Sequence, residues 1–322
     1  AAQINGYWGM YPTLHALNQA LHPGAAVPLP RPAPRGRTVT APAGRTLLDA
    51  WHPPAGMPTT GVVSRVDIPG WTSGFRARPA YVYLPPAYLV APRPLLPVVV
   101  LLAGQPGEPG NWITALRLAD LMDAYARAHH GLAPVAVVPD DLGATTANPL
   151  CVDSPRGNVE TYLARDVPAW IRANLQVDTD RRHWFIGGYS HGGTCSLQLA
   201  VRAPAVYGGF VDISGQREPT LGSRAKTLQG AFGGSAAAFA RINPLDILRR
   251  TRYPDTVGLL AAGTADTVYL PQQRQVYAAC QAARMGVRWL GVPGGHTMTM
   301  WREAFRQALP WLGVQGGIAD RE

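Results

Sequence analysis

The sequence predicts an α/β fold in which a mostly parallel central sheet is covered by helices on both faces. Along most of the 322 residues, short apolar runs alternate with longer amphipathic segments, which is the pattern of successive strand and helix units. The run from Leu95 to Ala103 is apolar throughout, as expected of a strand buried on both faces. With 47% apolar and 15% charged residues, the chain can bury a large core.

The chain begins with a segment that differs in composition from the rest. Prolines are dense from Pro23 to Pro58, and their fixed dihedral angle and missing N–H resist regular structure. Residues 1–60 are therefore expected to form a proline-rich arm packed on the main domain. The main domain is expected to span residues 61–315, followed by a tail at 316–322.

The elements of the main domain follow in order from hydrophobic periodicity. The predicted strands are Val62–Ile68, Ala80–Leu84, Leu95–Ala103, Val135–Val138, Trp184–Gly188, Gly209–Ile213, Thr256–Ala262 and Val287–Val292. The predicted helices are Asn111–His129, Val159–Leu175, Ser190–Val201, Gln272–Met285 and Met300–Leu312. Residues 216–243, rich in Gly, Ala and Ser between two strands, are the candidate short cap insertion over a site.

The charge pattern bears on the choice of partner. The formal net charge is +9, but Lys226 is the only lysine and the arginines are spread along the chain, which disfavours nucleic-acid binding. A basic surface favours association with an anionic membrane surface; a coding bias toward arginine explains the same composition. No apolar stretch approaches the roughly 20 residues that a membrane-spanning helix needs. The sequence gives no indication of the oligomeric state.

The cysteines predict one disulfide. Cys151, Cys195 and Cys280 lack the spacing of metal ligands, so no zinc site is expected. Cys151 follows a predicted strand and Cys195 lies just over one turn into a predicted helix, so both are expected near one rim of the sheet. A Cys151–Cys195 bridge would contribute about 4 kcal/mol in the chain-entropy model and imply an oxidising compartment. Three free thiols are the alternative.

The pentapeptide Gly188–Gly192, Gly-Tyr-Ser-His-Gly, lies between a predicted strand and a predicted helix. Such a sharp turn exposes the serine above the sheet edge, and the flanking glycines avoid clashes at the corner. The helix N-terminus and the amide of His191 would then stabilise an oxyanion. The segment predicts Ser190 as a catalytic nucleophile in an α/β-hydrolase fold; an ordinary structural turn is the alternative.

A serine hydroxyl needs a base and an orienting acid. His296 follows the last predicted strand through Pro293, Gly294 and Gly295, and is the predicted base; its rival is His191. Asp266, just beyond the strand Thr256–Ala262, is the predicted acid.

Other assignments for the acid stay open. Asp212 and Asp255 are rivals of Asp266, and Asp266 itself has the alternative role of a helix N-cap.

A second oxyanion donor is expected from the turn that follows the central strand. The sequence there turns sharply through Gly104 and Gly107, and the amide of Gln105 is the candidate, with an ordinary glycine turn as the alternative. No Gly-rich phosphate-binding motif is present in the sequence. The chemistry is therefore expected to need no cofactor.

Residues 60–315 resemble the Putative esterase family of α/β-hydrolases, which includes esterase D, S-formylglutathione hydrolases, feruloyl esterases and antigen 85 mycolyltransferases. The matching motifs are Ala80–Pro86, Leu102–Gln105, Gly188–Gly193, Gly263–Asp266 and Gly294–His296. The resemblance implies acyl chemistry with a triad of Ser190, Asp266 and His296 and oxyanion amides at Gln105 and His191. Ala103 departs from the family pattern, because these esterases often have His or Asp at the position before the oxyanion glycine.

The expected function is a serine ester hydrolase acting through an acyl-enzyme on a small-molecule or lipid ester of the cell envelope. An acyltransferase that passes the acyl group to a sugar or alcohol is the second hypothesis, and a non-catalytic binding protein on the same scaffold is the third. The arm sequence Ile4–Thr13 resembles that of actinobacterial members whose membrane helices precede the hydrolase. This resemblance implies an extracytoplasmic protein, secreted or tethered through a segment absent from this chain.

Overall fold

The computed structural model describes residue 29 and residues 37–322. The expectations for residues 1–28 and 30–36, including the Ile4–Thr13 resemblance, lie outside the described residues. The main sheet has eight strands. They are β1 (Val62–Val66), β2 (Ala80–Leu84), β3 (Val98–Leu102), β4 (Val135–Val138), β5 (Trp184–Tyr189), β6 (Gly209–Ile213), β7 (Val257–Gly263) and β8 (Gly286–Val292).

The strand order across the sheet is β8-β7-β6-β5-β3-β4-β2-β1. β2 is antiparallel to both of its neighbours, and all other pairs are parallel. The chain leaves β3 toward β4 on one side and returns to β5 on the other side, and ligands of open α/β sheets bind at the carboxyl ends of strands around such a reversal. Leu102 pairs with Gly188, so the loops after β3 and β5 leave the sheet side by side.

Helices cover the sheet and connect its strands. They are α1 (Leu47–Ala50), α2 (Gly110–Thr114), α3 (Leu118–Ala128), α4 (Val167–Asn174), α5 (His191–Arg202), α6 (Arg224–Phe232), α7 (Ala236–Ile242), α8 (Pro244–Arg250), α9 (Tyr269–Ala282) and α10 (Met298–Gln315). A short helix, Val159–Thr161, and a π-helical turn, Tyr162–Asp166, lead into α4.

The predicted helix Asn111–His129 is in fact two helices. Arg117 separates α2 from α3 and has a left-handed backbone with φ 53°, which ends one helix and starts the next in a new direction. The segment expected as a cap contains α6 and α7, whose first turns are capped by the hydroxyls of Ser223 and Ser235. The mostly parallel α/β architecture itself is confirmed.

The core lies on both faces of the central strands. Every residue of β3, β4, β5 and β6 is buried, which explains their almost continuous apolar sequences. The edge strand β8 alternates between exposed and less exposed positions, as expected where one face of a strand meets solvent.

The described part of the arm contacts the main domain. The amide of Leu47 donates to the carbonyl of Gly317 at 2.9 Å and that of Leu48 to Ile318 at 3.0 Å. Trp51 is buried, and its indole N–H donates to the carbonyl of His130 at 2.9 Å. The first two contacts join α1 to the segment after α10, and the third joins the residue after α1 to the loop after α3.

A disulfide joins Cys151, in the loop after β4, to Cys195 in α5, across a sequence separation of 44 and with the Cα atoms 5.5 Å apart. This is the pairing that the sequence predicts. Cys280 is a buried free thiol. Of the helices in the described part of the chain, none combines the length and apolar character needed to cross a bilayer.

Candidate active site

Ser190 lies at a tight corner between β5 and α5. Its backbone has φ 53° and ψ −117°, a conformation that costs a non-glycine residue free energy and is typical of functional sites. A Cβ at Gly188 would lie 2.5 Å from the carbonyl carbon of Gly192, and a Cβ at Gly192 would lie 2.5 Å from the carbonyl oxygen of Leu102. Only glycine therefore fits at these two positions.

His296 reaches Ser190 from the loop after β8. Its Nε2 lies 2.9 Å from Oγ of Ser190, a distance at which the imidazole can accept the hydroxyl proton. Gly294, with φ 122°, allows the turn that carries the histidine back over the sheet edge.

Asp266, in the loop after β7, contacts the other side of the imidazole. Its Oδ2 lies 3.0 Å from Nδ1 of His296. Its Oδ1 accepts hydrogen bonds from the amides of Val268 at 3.1 Å and Tyr269 at 2.9 Å. The two roles considered from the sequence thus occur together, because one oxygen faces the histidine while the other caps the start of α9.

The rival residues lie elsewhere. The imidazole of His191 faces Asp141, with Nε2 3.8 Å from Oδ2. Asp212 accepts hydrogen bonds from the amide of Gly215 and from Nε2 of Gln273. Asp255 precedes β7 at the opposite end of that strand and is exposed.

Aromatic rings surround His296. Tyr269 lies face to face with the imidazole, with ring centroids 3.9 Å apart, and Trp301 meets it edge-on at 4.7 Å. Tyr189 stacks in turn on Trp301 at 4.6 Å. Burial lowers the pKa of His296, and the carboxylate of Asp266 opposes this shift. A neutral imidazole is the state that can act as a base.

The turn after β3 lies against Ser190. A Cβ at Gly104 would lie 2.7 Å from the ring of Tyr189 and 3.4 Å from the Cβ of Ser190. Gln105 lines the same small pocket as Ser190, and its Nε2 donates to the carbonyl of Thr146 at 3.0 Å. Gln105 and His191 both line the cleft beside Ser190, and the role of their amides as oxyanion donors stays a prediction.

A cleft of about 480 Å³ opens beside Ser190. Most of the residues that line it have uncharged polar side chains, among them Gln105, Asn148, Thr194, Gln198, Gln216 and Thr220. The cap segment contributes one wall, from Pro219 to Gly222, and Nδ2 of Asn148 donates to the carbonyl of Thr220 at 3.0 Å. This hydrogen bond joins the cap to the loop after β4.

Sequence reasoning missed Arg78, which helps to hold the site in shape. Arg78 pairs with Asp140 at 2.7 Å and donates to the carbonyl of Gly107 at 3.1 Å, which fixes the end of the turn after β3. Tyr269 could have been singled out from the sequence, because it lies three residues after Asp266. In the described part of the chain, no group of three or more His, Cys, Asp or Glu side chains is arranged to hold a metal ion.

Three solved structures have the same fold. A ferulic acid esterase matches with a TM-score of 0.67 and 18% identity over 81% of this chain and 100% of its own. An S-formylglutathione hydrolase from Agrobacterium tumefaciens matches with a TM-score of 0.66 and 19% identity over 81% and 97%. Mycobacterium tuberculosis MPT51 (FbpC1) matches with a TM-score of 0.58 and 17% identity over 80% and 99%. At these identities the likeness shows the α/β-hydrolase fold.

Sequence comparison identifies the family. An uncharacterised protein of Corynebacterium glutamicum is 40% identical over 239 residues, which are 72% of this chain and 56% of that protein. The chain thus spans little more than half the length of this curated relative. The model of the family described as "Putative esterase" matches residues 75–312, a stretch that contains Ser190, Asp266 and His296. The chain therefore belongs to the Putative esterase family of α/β-hydrolase-fold enzymes.

Proposed function

We propose that this chain is a serine carboxylic ester hydrolase that works through an acyl-enzyme on Ser190. The observation that carries the proposal is the chain of contacts from Oγ of Ser190 to His296 at 2.9 Å and from His296 to Asp266 at 3.0 Å. A hydroxyl, an imidazole and a carboxylate in this order are the arrangement that makes an otherwise weak nucleophile reactive.

Each group has one role in the proposed mechanism. His296 takes the proton of Ser190 through Nε2 as Oγ attacks the ester carbonyl, and then gives that proton to the departing alcohol. Asp266 holds the Nδ1–H tautomer and stabilises the imidazolium. The amides of Gln105 and His191 donate to the oxyanion. Water, activated by the same histidine, then releases the acid and restores Ser190.

The proposed substrate is a small-molecule or lipid ester of the cell envelope, handled by an extracytoplasmic enzyme. Two features support this proposal. The Cys151–Cys195 disulfide favours an oxidising compartment, and the net charge of +9 favours association with an anionic membrane surface.

The test is a panel of p-nitrophenyl esters of increasing acyl length, assayed with the wild type and with Ser190→Ala. We expect hydrolysis by the wild type and a loss of at least about 10³-fold in kcat for the variant. A fluorophosphonate probe should label Ser190 in the wild type alone. A folded wild type that neither hydrolyses any ester nor takes the probe contradicts the proposal and favours a binding protein on a hydrolase scaffold.

Acyl transfer is a second candidate, favoured by one observation. The cap wall from Pro219 to Gly222 lines the cleft beside Ser190, where it can help to screen an acyl-enzyme from water. Product analysis in the presence of a sugar or alcohol acceptor separates the two functions. Transfer predicts acylated acceptor in excess of free acid, whereas free acid at every acceptor concentration identifies a hydrolase.

A further inference from the structure

A carboxyl group and an imidazole lie buried together next to the corner that carries Ser190. Asp141, which follows β4, is 0% exposed, and its Oδ2 lies 3.8 Å from Nε2 of His191 at the start of α5. Among the described residues, no side chain hydrogen-bonds to either carboxyl oxygen of Asp141 or to Nε2 of His191, and the backbone amides of Asp141 and Ala103 are the groups that act on the carboxyl. Buried polar groups are almost always hydrogen-bonded, so this pair requires a physical explanation.

The environment disfavours charge on both groups. Burial raises the pKa of Asp141 well above its usual range and the carboxylate of Asp140 adds to this, while the amides of Asp141 and Ala103 and the guanidinium of Arg78 oppose it. Burial lowers the pKa of His191 to about 4. Both shifts favour the neutral forms of the pair, in which a carboxylic acid donates through O–H and a neutral imidazole accepts.

The two groups are placed to form that hydrogen bond. An O–H donor and its acceptor are separated by about 2.8 Å at the optimum, so the observed 3.8 Å requires an approach of about 1 Å.

The pair lies between the two segments that carry the proposed oxyanion donors. β3 and β4 are adjacent and parallel, so Asp141 follows β4 at the sheet edge where Ala103 and Gln105 follow β3. The amide of Ala103 acts on the carboxyl of Asp141, two residues before Gln105. On the other side, Asp141 faces the side chain of His191, whose own amide is the second proposed donor.

We propose that Asp141 donates a hydrogen bond to Nε2 of His191 and that this buried pair positions the two oxyanion amides, those of Gln105 and His191. The inference rests on the proposed function, since an oxyanion hole serves only a reaction in which negative charge develops on the substrate. The two side chains are positioning residues, because they act through the backbone of the segments that they hold. Misaligned donors stabilise the transition state less well, whereas binding of the ester itself changes little. We therefore expect kcat to fall while KM stays nearly the same.

The test compares two substitutions of one residue. Asp141→Leu removes the donor, and we expect kcat to fall by about 10- to 100-fold, less than the loss for deleting a donor outright, with KM changed by less than about threefold. Asp141→Asn keeps a neutral donor, and we expect kcat within about threefold of the wild type. His191→Leu should match Asp141→Leu, and the double variant should be no slower than either, because the two act as one unit.

A second carboxylate–imidazole pair, half-buried and distant from Ser190, provides the control. Oδ2 of Asp178 lies 2.6 Å from Nδ1 of His183, just before the start of β5 and thus at the end of the strand opposite Ser190. Asp178→Leu should leave kcat unchanged. Circular dichroism and thermal unfolding establish whether each variant is folded. If Asp141→Leu does not fold, the kcat of His191→Leu tests the proposal in its place.

The rate of fluorophosphonate labelling of Ser190 separates this inference from the function on which it rests. Labelling of the wild type, with slower labelling of Asp141→Leu and near-normal labelling of Asp141→Asn, supports the inference. Equal kcat and labelling in all folded variants overturns the inference alone, as does an Asn variant as slow as the Leu variant. A wild type that is neither labelled nor active overturns the proposed function and the inference together.

Discussion

The ring of Tyr269 lies flat against the imidazole of His296, with centroids 3.9 Å and planes 18° apart. Stacking of this kind fixes the plane of the imidazole, and the face of an aromatic ring also favours the positive charge that forms during catalysis. Asp266 sets the position of Tyr269, because its Oδ1 accepts the amide of Tyr269 at 2.9 Å. One carboxylate thus holds both the base and the ring that covers it.

Loss of this ring should slow the reaction. Tyr269→Leu is expected to lower kcat by about 3- to 10-fold, which corresponds to a stacking contribution of about 1 kcal/mol. Tyr269→Phe keeps the ring and should retain nearly full kcat, which makes it the control for the hydroxyl. Steady-state kinetics on a p-nitrophenyl ester measure both. Equal kcat for the Leu and Phe variants would show that the stacking contributes nothing.

The pH profile should report the environment of His296. Burial lowers its pKa, and the imidazole must be neutral to act as a base. The acid limb of kcat/KM is therefore expected to have its midpoint below the ordinary value of about 6.5. Asp266→Ala removes the group that opposes the shift and should move the midpoint of the residual activity further down. A midpoint above 6.5 in the wild type contradicts the prediction.

The two roles of Asp266 can be separated by substitution. Asp266→Asn keeps an oxygen to cap α9 but loses the charge that orients and stabilises the imidazolium, so kcat should fall by about 10³- to 10⁴-fold with little change in stability. Asp266→Ala should lose both, and unfold with a free energy lower by about 1 kcal/mol. Urea unfolding and steady-state kinetics on the three proteins measure the two effects. Near-normal turnover of the Asn variant would assign the acid elsewhere.

Much of this arrangement could be predicted from the sequence, and the reason is local. Val135–Val138 was predicted with the observed bounds because a strand buried on both faces has an uninterrupted apolar sequence, and Gly209–Ile213 was predicted with the observed bounds although Asp212 interrupts its apolar run. The Ser190 corner was recognisable because its glycines are the residues that the backbone requires. The placement of His296 and Asp266 followed from the order of the strands, since parallel strands end at one edge.

The parts that could not be predicted depend on contacts between distant residues. The left-handed Arg117 breaks a helix whose apolar spacing continues across it, and α8 (Pro244–Arg250) lies directly after a segment read only as a cap. Asp141 and His191 meet because β4 lies two strands from β5 in the sheet, with β3 between them. No spacing within the chain carries that information.

The disulfide should make a large contribution to stability. Cys151 and Cys195 close a separation of 44 residues, for which the chain-entropy model gives about 4 kcal/mol. The double variant Cys151→Ala, Cys195→Ala is expected to lower the free energy of unfolding by about that amount. Cys280→Ala, which removes a buried thiol but opens no bridge, is the control. An equal loss in both variants would attribute the effect to packing alone.

Asp212 should make stability depend on pH between its ordinary pKa and its pKa in the folded protein. It is 0% exposed, and burial raises its pKa from 3.8 to about 7, opposed by hydrogen bonds from Gln273 and Gly215. Between these values the folded state binds more protons than the unfolded state, so the free energy of unfolding falls as pH rises and levels off above pH 7. The loss is on the order of 4 kcal/mol at 1.36 kcal/mol per pKa unit.

Asp212→Asn tests this dependence, because the amide cannot ionise while its oxygen can still accept the amide of Gly215. Urea unfolding at intervals from pH 4 to pH 8 should show a shallower decline in the variant than in the wild type, with the greatest difference above pH 7. Other titrating groups contribute equally to both proteins, so the difference between the two curves isolates Asp212. Parallel curves would mean that this carboxylate is ionised in the folded protein and compensated by its hydrogen bonds.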